Sequence, residues 1–118
     1  MKERRRYARL NIPLDVHYLV RGQKQKLKSV TKNISPNGVR FALEKEVPAG
    51  EILDIEIKIP NKPEPIPIKA RLVWSKKELK QGKDVFDAGF EFVQVPDESK
   101  NEFFQYLCNL MYEQLKKI

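Results

Sequence analysis

Two runs of this 118-residue chain hold the side chains best suited to chemistry: Arg5-Arg6-Tyr7-Ala8-Arg9 near the N-terminus, and Asn33-Ile34-Ser35-Pro36-Asn37-Gly38 further on. A guanidinium is permanently charged and presents a planar fork of donors, so two arginines four residues apart are suited to gripping an anion. In an extended chain residues at that spacing lie roughly 13 Å apart, whereas a bend or helical turn brings them to about 6 Å. The Arg5 to Arg9 segment is therefore expected to be bent when it holds a ligand. Asn33 and Ser35 alternate onto one face of a strand end, setting an amide beside a hydroxyl, and Gly38 lets the backbone turn sharply or approach a ligand closely. Lys2, Arg4, Arg5, Arg6 and Arg9 crowd the first nine residues, which places an anion site near the N-terminus.

Catalytic readings find little support. The chain has no nucleophile elbow, no phosphate-cradling glycine loop and no metal-ligand spacing, and its one histidine, His17, reads as a strand-face side chain. The one cysteine, Cys108, cannot form an internal disulfide and reads as a small residue within the apolar face of a helix. Neither an enzyme, a cofactor nor a metal site is expected.

The elements that must position the two runs follow from periodicity. Val16, Tyr18 and Val20 share one face of a strand; Leu27 to Ile34 reads as a second strand, and Val39, Phe41 and Leu43 mark a third after the Pro36-Asn37-Gly38 turn, whose Asn and Gly tolerate positive φ. Leu53, Ile55, Ile57 and Ile59 alternate with Asp54, Glu56 and Lys58 in a fourth, bounded by Ala49-Gly50 and Pro60-Asn61. Ile68, Ala70, Leu72 and Trp74 form a fifth, Lys76 to Lys83 reads as a polar loop, and Phe86, Ala88, Phe90 and Phe92 line a sixth in which Gly89 interrupts the other face.

The period then becomes helical: Phe104, Leu107, Met111, Leu115 and Ile118 fall on one stripe widened by Phe103 and Leu110, and Ser99 to Glu102 fits a capping box. About six short strands followed by a helix predict a mainly β fold, a small antiparallel barrel with a C-terminal helix. The expected organisation is a single domain over 1–118: a flexible basic arm over 1–12, a barrel over 13–95 and a helix over 96–118. With 41% hydrophobic and 33% charged residues the chain is expected to fold, and it has no apolar run of the roughly 20 residues that would cross a bilayer. Nor does an apolar stretch of secretory type follow the basic start, so a cytoplasmic location is expected. The net charge of +7 favours an anionic partner.

The two runs, in this order and with this placement, resemble the PilZ family: an RxxxR pair just before the first strand and a D/N-x-S-x-x-G run between the second and third. Val73-Trp74 near a strand end, Asp87-Ala88-Gly89-Phe90-Glu91-Phe92 in the next strand and the final helix are also similar to that family, so the resemblance covers nearly the whole chain. It implies a small β-barrel receptor for cyclic di-GMP that signals by changing shape. Arg5 and Arg9 would clamp the ligand, Asn33 and Ser35 would hold it on the barrel, Gly38 would shape the turn and Trp74 would offer a surface on which guanine stacks. Asn33 is the less acidic of the family's two choices at its position. Arg4, just before RxxxR, is similar to members whose long basic residue there contacts a second ligand copy, which leaves one or two copies open.

Guanidinium chemistry suits such a ligand, since arginine can clamp phosphate, take guanine O6 and N7, or stack on the base. The expected output, with no second domain in this reading, is a surface offered to an unidentified protein effector; oligomeric state is left open. Two rival readings are a ligand-independent PilZ-like adaptor, which the intact signatures oppose, and a basic nucleic-acid-binding module, which the mixed charges on the strands oppose.

Overall fold

The computed structural model describes residues 9–116. Six antiparallel strands close into a barrel in the order β1-β2-β3-β6-β5-β4. They are β1 (Asp15–Leu19), β2 (Leu27–Ser35), β3 (Gly38–Leu43), β4 (Ile52–Ile57), β5 (Ile66–Lys80) and β6 (Lys83–Gln94), and α1 (Asp97–Lys116) follows. Closure leaves each alternating strand one dry and one wet face: Val16, Phe41, Leu53, Ile55, Ile57, Ala70 and Ala88 are almost wholly inaccessible. Phe41 stacks on Phe90 with centroids 4.6 Å apart, tying β3 to β6 through the interior. The turns before and after β4 use the expected residues, Gly50 at φ 91° and Asn61 at φ 69°.

Three expectations fail. Lys76 to Lys83 is not a loop: β5 runs to Lys80, β6 starts at Lys83, and Gln81 and Gly82, at φ 50° and 77°, make the two-residue turn between them. That hairpin extends beyond the barrel with both faces wet, so it lacks the apolar alternation by which a strand is read. Next, Ser99 is not the helix cap. The helix starts two residues earlier, with the Pro96 carbonyl accepting from the Ser99 and Lys100 amides, while Glu102 pairs with Lys62. Finally, Cys108 is exposed.

The helix does pack on its own barrel. Phe103 and Leu107 are fully buried in the common core, and Phe103 meets Phe92 of β6 edge-on at 5.7 Å. Its buried stripe centres on those two residues, which leaves Cys108 outside it and Tyr112 and Leu115 exposed near the end. Ile118 lies outside the described residues.

Candidate functional site

Residues opposed across neighbouring strands share a sheet face. Asn33 of β2 opposes Arg40 of β3, Arg40 opposes Gly89 of β6, and Gly89 opposes Trp74 of β5. Since Phe86, Ala88 and Phe90 fill the interior, this four-strand row lies on the outer face of the barrel. The next row is Ser35, Gly38, Glu91 and Arg71. The barrel thus gathers Asn33, Ser35, Gly38 and Trp74 on one surface.

Arg9 joins them through its neighbour. Leu10 and Ile34 exchange backbone hydrogen bonds of 2.8 and 2.9 Å, which sets the chain entering β1 beside the strand end that carries Asn33 and Ser35. Thr31 secures the same stretch, accepting from the Leu14 amide at 2.8 Å and donating to the Ile12 carbonyl. Arg9 itself is exposed. Arg4 and Arg5 lie outside the described residues.

The polar groups of the row are held differently from one another. Asn33 is 9% exposed and its Oδ1 has no hydrogen-bond partner among the described residues. A buried acceptor left unpaired costs free energy that an apolar side chain would not, so packing alone does not account for an amide at this position. Ser35 is buried and its hydroxyl donates to Asn37 Oδ1 at 2.6 Å, which braces the hairpin turn.

Gly38 differs from expectation. Neither it nor Asn37 is among the described residues with positive φ. Glycine is needed there because of a close approach: a Cβ would lie 2.5 Å from the Phe90 carbonyl oxygen of the paired strand. The Asn37 carbonyl in turn accepts from the Phe92 amide at 2.9 Å, so the turn is sewn to β6.

Gly89 has an equally specific role. A Cβ there would fall 2.2 Å from Trp74 Nε1, so the missing side chain is what lets the indole lie across β6. Trp74 stays 38% exposed, hence a surface residue and not part of the core. A register shift at Val73 sets it there. The Arg40 guanidinium sits 5.6 Å from its ring centroid, a cation–π distance.

Behind Arg40 lies a carboxylate absent from the sequence-based candidates. Asp87, 2% exposed, accepts from Arg40 Nε at 2.9 Å and again from its Nη2, and Lys32, the extra residue of a β2 bulge, approaches it at 3.3 Å. The hydrogen bond from Arg40 holds the Asp87 carboxyl below its ordinary range, outweighing the burial that would raise it, with Lys32 adding to the effect. The same hydrogen bond raises Arg40. Asp87 thus fixes a guanidinium beside the exposed indole. The available signal was an acidic residue inside the apolar run Val85 to Phe92. Among the described residues no cluster of His, Cys, Asp and Glu could hold a metal ion, and no helix is long and apolar enough to cross a membrane.

Comparison with known proteins yields one family and a consistent set of folds. No curated protein sequence matches the chain. The inhibitor of motility MotI/DgrA of Bacillus subtilis superposes with a TM-score of 0.74 at 22% identity, over 98% of this chain and 54% of that one. The PilZ domain of Escherichia coli YcgR, solved with c-di-GMP, gives 0.68 at 17% identity over 98% of this chain and 96% of that one. The K. pneumonia MrkH-c-di-GMP complex gives 0.75 at 12% identity over 99% of this chain and 57% of that one. The chain therefore spans about half the length of MotI and of MrkH and nearly all of the YcgR domain. The PilZ domain family model matches residues 3–108, and the chain belongs to that family.

Proposed function

We propose that the chain is a receptor for cyclic di-GMP, acting in the cytoplasm, which binds on the outer face of the barrel and passes the signal to a protein partner. The observation that carries this reading is the row Asn33, Arg40, Gly89 and Trp74, with Arg9 adjoining Leu10, which bridges to Ile34 between Asn33 and Ser35. It offers an unpartnered buried acceptor, a fixed cation and an exposed indole across four strands. The Asn33 acceptor complements the amino donor of guanine, the indole face suits base stacking, and Arg5 and Arg9 suit bidentate phosphate contacts. YcgR and MrkH, similar in fold, are proteins whose structures hold c-di-GMP.

Calorimetric titration with cyclic di-GMP, using GTP and a short RNA as controls, tests the reading and gives the stoichiometry that Arg4 bears on. Arg5→Ala and Arg9→Ala are each expected to weaken binding about ten- to a hundredfold, since a hydrogen bond to a charged group is worth about 1.5–3 kcal/mol. Arg6→Ala should do much less. Unchanged affinity in both Arg5→Ala and Arg9→Ala would refute the site. An absence of any nucleotide binding would leave the ligand-independent adaptor as the better reading.

A further inference from the structure

We propose that the free edge of β5 from Val73 to Lys80 is a docking site for an extended, acidic segment of a partner protein, which adds to it as a strand. The open edge follows from the register. Pairing of β5 with β4 ends at Arg71 opposite Ile52, and Leu72 makes the last contacts on that side, with Gly50 and Glu51. On its other side β5 continues to pair with β6 as far as Lys80 opposite Lys83. Among the described residues no strand pairs with the free side beyond Leu72. Eight residues at about 3.3 Å each give roughly 26 Å of edge, along which alternate backbone groups face outward.

The side chains choose the occupant. Trp74, Lys76, Glu78 and Lys80 share the outer face of this stretch, and Lys83 lies opposite Lys80. Lys77 pairs with Asp84 at 3.4 Å, but Lys76, Lys80 and Lys83 make no ion pair among the described residues. Lysines on an edge commonly guard it against unwanted pairing. Pure guarding does not account for the apolar groups beside them, with Leu79 73% exposed, Val73 52% and Trp74 38%. The geometry fits a segment with carboxylates four residues apart, opposite Lys76 and Lys80, and an apolar residue on its other face toward Leu79. A second copy fits poorly: centred on Glu78, antiparallel pairing sets Lys76 against Lys80 and Glu78 against itself. Nucleic acid would meet the lysines but has no use for the backbone edge.

Trp74 belongs to both this edge and the proposed nucleotide row, so the test is run without nucleotide and is read at Lys76 to Lys80, which lie outside that row. The full chain, labelled for amide NMR, is titrated with a blocked eight-residue threonine and valine peptide carrying two glutamates four positions apart. A peptide with two lysines instead, and the acidic peptide N-methylated along one backbone edge, serve as controls. The acidic peptide is expected to shift the amides of Lys76 to Lys80 and leave those of Ile52 to Ile57 in place. The basic peptide should bind at least about tenfold more weakly, and N-methylation should abolish the shifts. A Lys76→Glu, Lys80→Glu double variant, on a stretch outside the core, should reverse the charge preference. The proposal is overturned if N-methylation has no effect, if acidic and basic peptides bind alike, or if millimolar acidic peptide shifts nothing. It is equally overturned if a short oligonucleotide gives the same pattern, or if the unliganded chain self-associates through this edge.

Discussion

Along β4 the buried positions are Leu53, Ile55 and Ile57, and the residues between them, Asp54 and Glu56, meet Lys69 and Lys26 at 2.8 and 2.9 Å in solvent. On the outer face across β2, β3 and β6 the same geometric position holds Asn33, Asp87 and Gly89, which are polar or side-chain-free and yet buried. The β4 ion pairs are of the exposed kind, worth about 0–1 kcal/mol, whereas Asp87 has been taken out of water and depends on Arg40 and Lys32. Strand alternation in β4 reports packing alone. Its violation in the row marks side chains whose placement folding by itself does not require.

The widest separation between the two regions should come from the interior side of β4. Ile55→Ala, at a position 1% exposed, is expected to cost about 2–5 kcal/mol in urea unfolding while leaving nucleotide affinity of the folded protein unchanged. A parallel loss of affinity would show that the row is not independent of the core beneath it.

Asp87→Ala should cost less, about 1–3 kcal/mol, because Arg40 and Lys32 retain water contact when their counter-ion is lost. The pH dependence sharpens this. A carboxyl whose folded pKa is depressed contributes stability above its unfolded value of about 3.9, and that contribution is lost as pH falls through the folded value. The stability gap between the parent and Asp87→Ala should therefore be constant near neutrality and narrow below about pH 4. A gap that widened in acid would contradict the pairing.

The smallest effect has the opposite sign. Asn33→Leu removes a buried unpaired acceptor and should raise stability by about 0.5–1 kcal/mol in the same unfolding assay, while weakening cyclic di-GMP binding in calorimetry. A variant that lost both stability and affinity would show that Asn33 serves the fold.

The strands that pack were legible because burial imposes period 2: Leu53 to Ile59 and Phe86 to Phe92 announce themselves. The β5–β6 extension was not, since Lys76, Lys77, Glu78 and Lys80 carry no apolar alternation and pair with β6 through backbone and one exposed ion pair, Lys77 with Asp84. Only Gln81-Gly82 hinted at a turn. Asn33, Ser35, Gly38 and Trp74 could be named from their motifs, but their gathering in two adjacent rows of one face could not, because it depends on a register set by bulges at Lys32 and Val73. Arg40 and Asp87, 47 residues apart, meet only once that register exists. Gly38 was read as a turn residue tolerating positive φ, but the constraint on it comes from the Phe90 carbonyl of another strand, which no local pattern records.

The indole laid over Gly89 has one more consequence. The chain holds a single tryptophan, so all of its long-wavelength ultraviolet emission comes from the row itself, from a ring that is 38% exposed and beside a guanidinium. A base stacking on that ring would displace water and quench it, and the unlabelled protein would then read out its own occupancy in a cuvette. The emission of Gly89→Ala, whose new methyl group lifts the indole, would give the spectrum of the disturbed shelf for comparison.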